Sequence, residues 1–174
     1  EGAHGVVYSA VDPQGRSVAL KVLKSRFNAK RRARFKREGE LAAKLDHPGI
    51  LRVQGGGEHQ GQPFLVYDLV EDGRELNEYM RDLGVDARVR ALLSVAEAVG
   101  YAHANGVVHR DLKMANILVD GEGRLRVADF GLAKAEGGLS LTRTGEFLGT
   151  PMGMAPEQML SERGQVGPHT DVWA

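Results

Sequence analysis

The chain has 174 residues, of which 42% are hydrophobic and 26% are charged, a composition typical of a globular protein. Its formal net charge is zero, so global electrostatics favours neither a nucleic acid nor a membrane surface as partner. The absence of cysteine excludes disulfides and thiolate metal sites, and no apolar run approaches the roughly 20 residues that span a bilayer.

The first predicted element is a β-hairpin over residues 6–23. The run "VVYSAV" is followed by the turn sequence "DPQGR" and then by "SVALKVL", which has the composition of a strand. Counting outward from the turn places Val7 opposite Lys21, and the alternation of strand side chains places Ala19 and Lys21 on one face. This lysine is therefore expected beneath the glycine-containing stretch "EGAHG".

A helix is predicted over residues 30–45. Phe35, Ala42 and Leu45 share one helical face, and Glu38 falls within the same apolar stripe. A buried acid needs a cationic partner, and Lys21 is the candidate. The basic residues 30–37 are interpreted as a solvated face of this helix rather than as a nucleic-acid surface.

Two further strands are predicted over residues 50–53 and 63–69, joined by a glycine-rich turn. A long helix follows over residues 87–104, and Asn105 and Gly106 provide its C-terminal stop. The predicted core face of this helix consists of Val89, Leu92, Leu93, Ala96 and Val99. His103 is expected on its surface. The order of elements is therefore strands with one helix first, and mainly helix afterwards.

Residues 107–131, "VVHRDLKMANILVDGEGRLRVADFG", place many polar side chains around a short apolar hairpin. Antiparallel pairing of "ILV" with "RLRVA" around the turn "DGEG" brings Asn116 and Asp129 together at the open end. Oxygen donors without His or Cys suit a hard cation such as Mg²⁺. Asp111 could accept a proton from a nucleophile, and Lys113 could balance phosphate charge. These are the groups that phosphoryl transfer requires.

These motifs resemble, in their order, the catalytic domain of eukaryotic-type (Hanks-type) protein kinases, and they are most similar to bacterial serine/threonine kinases. "GAHGVV" resembles the end of the glycine-rich loop, "VALK" the strand with the nucleotide-binding lysine, and "HRDLKMAN" the catalytic loop. "DFG" resembles the metal-binding motif, "APE" the end of the activation segment, and "TDVW" the start of the helix that anchors the large lobe. A dinucleotide-binding loop is disfavoured because a strand, and not a helix, follows the glycines.

The resemblance implies an α+β, two-lobe protein-kinase-like fold: a small antiparallel β-sheet lobe with one helix, and a mainly helical large lobe that is incomplete. The small lobe is expected over residues 1–70 and the large lobe over residues 71–174. The implied cofactors are ATP and Mg²⁺, and the implied partner is a protein substrate with a Ser or Thr acceptor. No nucleic-acid partner is expected, and the catalytic domain is expected to be cytoplasmic.

The resemblance also assigns roles to individual residues. Asp111 would be the catalytic base, Lys113 would stabilise the transferring phosphoryl group, and Asn116 and Asp129 would hold Mg²⁺. The residues expected to bind or flank the nucleotide are Gly2, Gly5, Val7, Ala19, Lys21, Glu38, Asp68, Leu69, Val70 and Leu118. Lys21 would contact Glu38 in the active conformation, and the helix that carries Glu38 would be rotated outward in an inactive one. Tyr67 falls at the gatekeeper position, directly before the hinge at residues 68–70. His109 and Phe130 would pack in the internal spine of the large lobe.

The resemblance further implies regulation through the activation segment. Arg110, directly before the catalytic aspartate, marks kinases whose activation loop is ordered by a bound phosphate. Autophosphorylation is therefore predicted on Thr142 or Thr144, while Thr150 would contact the catalytic loop. Asp171 would steady that loop from the anchoring helix, and Glu157 would pair with an arginine of later helices.

Because the chain begins with Glu1 and stops within that anchoring helix, it is expected to be part of a longer kinase, truncated at both ends. A membrane anchor elsewhere in that protein stays open. The alternative function is an inactive fragment that binds nucleotide or a partner protein without transferring phosphate. A small-molecule phosphotransferase is disfavoured because the segment from "GTP" to "APE" shapes a peptide-docking surface.

Overall fold

The computed structural model describes residues 5–23, 29–130, 153–159 and 165–174. The first part of the chain forms a four-stranded antiparallel sheet with the strand order β1-β2-β4-β3. Its elements are β1 (Gly5–Val11), β2 (Ser17–Leu23), α1 (Ala29–Ala42), β3 (Val53–His59) and β4 (Gln62–Asp68). Helix α1 packs against β3.

The first hairpin has the predicted register, with Val7 opposite Lys21. Its turn is closed by Asp12, whose Oδ1 accepts the backbone N–H groups of Gln14 and Arg16 at 2.9 and 2.8 Å. The Nε of Arg16 donates to Asp12 Oδ2 at 2.7 Å. Gly15 has a φ of 80°, a left-handed conformation that glycine adopts without steric cost.

Residues 120–124 repeat this turn, with the same sequence pattern Asp-x-x-Gly-Arg. Asp120 Oδ1 accepts the backbone N–H groups of Glu122 and Arg124, and Asp120 Oδ2 accepts Nε of Arg124 at 2.7 Å. Gly123 has a φ of 79°. The Arg124 side chain is the main reason that the pKa of Asp120 lies below its usual value.

This second turn belongs to a three-stranded sheet with the order β5-β6-β7. The remaining elements are β5 (Arg74–Glu75), α2 (Leu76–Tyr79), a 3₁₀ turn (Met80–Asp82), α3 (Val85–Ala104), a second 3₁₀ turn (Met114–Asn116), β6 (Ile117–Val119), β7 (Leu125–Val127), α4 (Pro156–Met159) and α5 (Pro168–Trp173). The α+β class predicted from the sequence is confirmed.

The strand predicted over residues 50–53 is misplaced. Strand β3 begins only at Val53 and continues through three glycines that were predicted to form the turn. A Cβ on Gly56 would lie 2.8 Å from the backbone oxygen of Phe64, so the missing side chain permits the close strand pairing. The turn falls instead at Gln60 and Gly61, which have positive φ values of 51° and 80°.

The core face predicted for the long helix is largely wrong. Val89, Leu92 and Leu93 are 59%, 50% and 58% exposed, whereas the buried residues of α3 are Ala91, Val95, Ala98, Val99 and Ala102. Small side chains let the helix approach the neighbouring chain closely: a Cβ on Gly49 would lie 3.0 Å from Cβ of Ala98. Close packing therefore selects the alanine-rich face over the face with larger apolar residues.

The two sheets are joined through the segment between α1 and β3. Ile50 forms a parallel bridge with Val127 of β7. The N–H of Leu51 donates to the oxygen of Val127, and the N–H of Val127 donates to the oxygen of Gly49, both at 2.8 Å. One hydrophobic cluster extends from Leu65 in β4 to Val127.

Helix α1 and the four-stranded sheet come from residues up to 68, and the three-stranded sheet begins at residue 74. The division of the chain into lobes at residue 70 stays a prediction. In the part of the chain that the structure describes, no helix combines the length and the apolar character needed to cross a bilayer.

Candidate active site

The loop between α3 and β6 carries the predicted catalytic residues. Lys113 Nζ donates to Asp111 Oδ2 at 2.7 Å. Asn116 Nδ2 donates to the backbone oxygen of Asp111 at 2.7 Å and to Asp111 Oδ2 at 3.1 Å. The structure thus brings these three side chains into one hydrogen-bonded group, with the Asp111 side chain about one-third exposed.

Asp171 in α5 binds the backbone of this loop through its carboxylate. Its Oδ2 accepts the backbone N–H of His109 and its Oδ1 accepts that of Arg110, both at 2.7 Å. The carboxylate also contacts Nε2 of His103 at 2.7 Å. The supporting contact expected of Asp171 is therefore present. The expectation that His103 lies on the helix surface is wrong, because its side chain is only 14% exposed and faces this carboxylate.

Arg110 has a φ of 71°, an uncommon left-handed conformation for a residue with a side chain. Its backbone oxygen accepts a hydrogen bond from Nε2 of Gln158 at 2.6 Å, and Gln158 Oε1 accepts the N–H of Ala155 at 3.0 Å. Gln158 therefore ties α4 to the catalytic loop. None of the sequence predictions includes Gln158, although its position directly after "APE" was the available signal.

His109 is completely buried, and its ring lies 4.8 Å from the ring of Phe130, between centroids. Its Nε2 is 2.8 Å from the oxygen of Ala128, which can only accept, so Nε2 carries the proton. The N–H of Asp111 donates to Nδ1 at 3.3 Å. Burial lowers the pKa of His109 below its usual value, and the neutral ring satisfies both neighbours.

Asp129 follows β7 directly after Ala128, the residue that pairs with Asn116. The N–H of Ala128 donates to the backbone oxygen of Asn116 at 2.8 Å, which fixes the open end of the hairpin. Asp129 has a φ of 64°. Its Oδ2 accepts Lys21 Nζ at 2.7 Å, and its Oδ1 accepts the hydroxyl of Tyr67 at 3.0 Å.

The predicted pairing of Lys21 with Glu38 is not the arrangement in this structure. Lys21 forms its ion pair with Asp129, and Glu38 pairs with Arg110 Nη1 at 3.2 Å. Glu38 does lie on the inward face of α1, where its side chain is 15% exposed. Sequence spacing did not identify Arg110 as the partner of Glu38, because it does not rank two cations that are distant along the chain.

Most of the described residues assigned to the nucleotide lie in the four-stranded sheet or directly after its strand β4. Ala19 and Lys21 share one face of β2 with their cross-strand partners Tyr67 and Leu65. Val7, opposite Lys21, is 60% exposed.

Leu118 in β6 packs partly buried against the hydrophobic cluster. In the four-stranded sheet, Asp68 is the last residue of β4, and Leu69 and Val70 follow it as partly buried residues.

Of the two glycines predicted to lie near phosphate, only Gly5 lies within the described residues. Gly2 lies outside the described residues. Gly5 is buried opposite Leu23, and a Cβ there would lie 2.5 Å from the oxygen of Val22. Strand pairing alone therefore requires glycine at position 5, and its predicted role beside phosphate stays a prediction.

The donor set at the open end of the hairpin fits a hard cation. Asn116 supplies an amide oxygen and Asp129 a carboxylate, which are ligand types that Mg²⁺ accepts in proteins. Among the described residues no group of three or more His, Cys, Asp or Glu side chains could hold a metal ion. The chemistry of the pair therefore suits an ion that takes only one or two protein ligands and completes its shell with water and phosphate.

The residues named for phosphorylation, Thr142 and Thr144, and the docking residue Thr150 lie outside the described residues. Glu157, at the end of that segment, was expected to need an arginine of later helices. In this structure Glu157 accepts the hydroxyl of Thr170 at 2.6 Å and lies 3.4 Å from Nε2 of His169, and its pairing with an arginine of later helices stays a prediction. The Thr170 hydroxyl is the main reason that the pKa of Glu157 lies below its usual value.

The model of the protein kinase domain family matches residues 1–174, and the chain belongs to this family. It is 40% identical to serine/threonine-protein kinase PknA of Mycobacterium tuberculosis, over 99% of this chain and 42% of that protein. It is 37% identical to the probable serine/threonine-protein kinase PknB of Lactococcus lactis, over 91% of this chain and 26% of that protein.

Among solved structures, the PknI kinase domain of Mycobacterium tuberculosis matches with a TM-score of 0.78 and 33% identity. The match covers 98% of this chain and 65% of that domain. The fold is thus part of the two-lobe protein kinase fold, and the chain spans less than half the length of PknA and PknB.

Proposed function

We propose that this chain carries the catalytic site of a protein kinase that transfers the γ-phosphoryl group of ATP to Ser or Thr hydroxyls of protein substrates. The observation that carries the proposal is the hydrogen-bonded group of Asp111, Lys113 and Asn116, whose member Asn116 is bonded to Ala128, the residue before Asp129. Family membership and the similarity to serine/threonine kinases support the same reaction class.

In this proposal Asp111 orients the acceptor hydroxyl and takes its proton as the oxygen bonds to the γ-phosphorus. The bond from that phosphorus to the β–γ bridging oxygen breaks, and ADP leaves with the electron pair. Lys113, 2.7 Å from Asp111, balances the charge of the phosphoryl group in transit. Positioning and charge neutralisation supply most of the catalysis in reactions of this kind.

Asn116 and Asp129 would hold Mg²⁺, which neutralises phosphate charge when it is bound. Lys21 would bind the α- and β-phosphates, and for this it exchanges Asp129 for the nucleotide. Val7 and Ala19 would cover one side of the adenine and Leu118 the other, with Gly2 and Gly5 near the phosphates. Residues 68–70 would contact the adenine through their backbone.

The test is transfer of label from γ-labelled ATP to protein by the intact protein, followed by identification of the labelled amino acids. Phosphoserine and phosphothreonine are expected, and chelation of Mg²⁺ should abolish the label. Nucleotide binding without any labelled protein would favour the binding-module alternative. Label on phosphotyrosine alone would contradict the assignment to serine and threonine.

A further inference from the structure

Tyr67 makes a contact to the site that no assigned role explains. It lies in β4, is 4% exposed, and donates its hydroxyl to Asp129 Oδ1 at 3.0 Å. A buried tyrosine hydroxyl is usually satisfied by a nearby acceptor, so the bond alone does not prove a function. Its partner, however, is the carboxylate assigned to the metal.

The two donors to Asp129 come from the same face of the four-stranded sheet. Tyr67 lies opposite Ala19 in β2, and Lys21 is two residues further along that strand. Lys21 contacts Oδ2 at 2.7 Å and Tyr67 contacts Oδ1. In the proposed function the ammonium would exchange this carboxylate for a phosphate, whereas the phenol belongs to a buried residue of β4.

A carboxylate oxygen can accept one hydrogen bond and still coordinate a cation through its second lone pair. Hydrogen-bond partners of this kind orient ligand side chains in metal sites, and removing one typically costs 10- to 100-fold in metal affinity. Asp129 also has a left-handed backbone conformation, which persists where surrounding contacts hold the residue.

We propose that Tyr67 is a positioning residue whose hydroxyl fixes the Asp129 carboxylate in the direction that receives the divalent cation of the nucleotide. This inference rests on the proposed function of Asp129. It assigns to position 67 a task that only a side chain with a hydrogen-bond donor at this reach can perform.

The test uses the intact protein with a non-hydrolysable ATP analogue at fixed concentration, titrated with Mg²⁺. The readout is the Mg²⁺ concentration that gives half of the thermal stabilisation. Tyr67→Phe, which removes only the hydroxyl, should raise this concentration at least about 10-fold. Binding of the analogue in the presence of a chelator should not change. Tyr101→Phe, a hydroxyl deletion in α3, is the matched control and should behave as the wild type.

A second substitution, Tyr67→Met, removes the donor with an adaptable apolar side chain and keeps the test valid if the phenylalanine variant folds poorly. A wild-type Mg²⁺ requirement in either folded variant would overturn the inference. Asp129→Asn separates this outcome from failure of the proposed function. If Asp129→Asn loses the Mg²⁺ response while Tyr67→Phe keeps it, only the role of Tyr67 is wrong. If Asp129→Asn keeps it, both proposals are wrong.

Discussion

Arg110 and Asp129 hold unfavourable backbone conformations directly beside the proposed chemistry. Their φ values of 71° and 64° are of a kind that costs about 1–3 kcal/mol each for residues with side chains. Each is held by contacts from other elements: Asp171 and Gln158 bond the backbone of Arg110, and Lys21 and Tyr67 bond the Asp129 carboxylate. The fold thus imposes these conformations from outside the loops themselves.

The buried ring of His109 predicts that the stability of the folded chain depends on pH. Its pKa in the folded chain is lowered from the usual 6.5, chiefly by burial. Above pH 6.5 the ring is neutral in both the folded and the unfolded chain, and it contributes its full stability. Below that pH the unfolded chain takes up a proton that the folded chain resists, so stability is lost as the pH falls towards the folded pKa.

The measurement is the free energy of unfolding of the wild type and of His109→Gln between pH 7.5 and 5.5, by chemical denaturation. The variant should be less stable at pH 7.5 because it loses packing. The difference should then shrink below about pH 6.5, by at most about 1.4 kcal/mol per pH unit. Parallel curves for the two proteins would contradict the assignment of a neutral, buried His109.

Single residues were predictable from the sequence where a motif or a cross-strand register determines the neighbour. Val7 opposite Lys21 follows from counting around one turn, and the bond from Ala128, the residue before Asp129, to Asn116 follows from a short hairpin. The partner of Glu38 was not predictable, because Lys21 and Arg110 approach it from different parts of the chain. Tertiary geometry alone decides between two such cations.

At the scale of the elements, the turn with the pattern Asp-x-x-Gly-Arg at residues 12–16 gives a test whose control is another glycine of the chain. Gly15 has a φ of 80° with open space around its Cβ position, so Gly15→Ala introduces backbone strain without a steric clash. The substitution should lower the free energy of unfolding by about 1–2 kcal/mol. Chemical denaturation checks this value.

Gly55 is the matched control because it also has open space around its Cβ position, yet its backbone is not left-handed. There Gly→Ala mainly reduces the freedom of the unfolded chain, and it should be neutral or stabilising by up to about 1 kcal/mol. The opposite signs at Gly15 and Gly55 separate backbone strain from added bulk. Equal effects at both positions would mean that the left-handed turn is not what requires glycine at residue 15.

The elements that were predicted well have strong local signals, and the errors arise where packing overrides them. The pattern Asp-x-x-Gly-Arg marks both hairpin turns. Glycines 55–57 were assigned to a turn on composition, but they lie in strand β3, where a Cβ on Gly56 would lie only 2.8 Å from the backbone oxygen of Phe64. In α3 the buried face is the alanine-rich one, and a Cβ on Gly49 would lie 3.0 Å from Cβ of Ala98, a tertiary contact that no local pattern contains.

At the scale of the whole molecule, the site is assembled from both sheets. Lys21 and Tyr67 reach it from the four-stranded sheet, and Asn116 and Asp129 flank the three-stranded sheet. Backbone bonds from Gly49 and Leu51 to Val127 join the two parts next to the site. The order of motifs along the chain predicted the family, because each motif has a fixed chemical role. The pairing of Lys21 with Asp129 and of Glu38 with Arg110 is known only from the structure.

The most direct test of the account compares phosphotransfer and nucleotide binding in Asp111→Asn of the intact protein. Asp111 is assigned to the acceptor hydroxyl and not to the metal or the nucleotide. Phosphotransfer should therefore fall by about 100-fold or more, while thermal stabilisation by Mg²⁺ and ATP persists. Asp82→Asn, at an exposed aspartate in the 3₁₀ turn after α2, is the control and should retain both properties. Near wild-type turnover in Asp111→Asn would contradict the account.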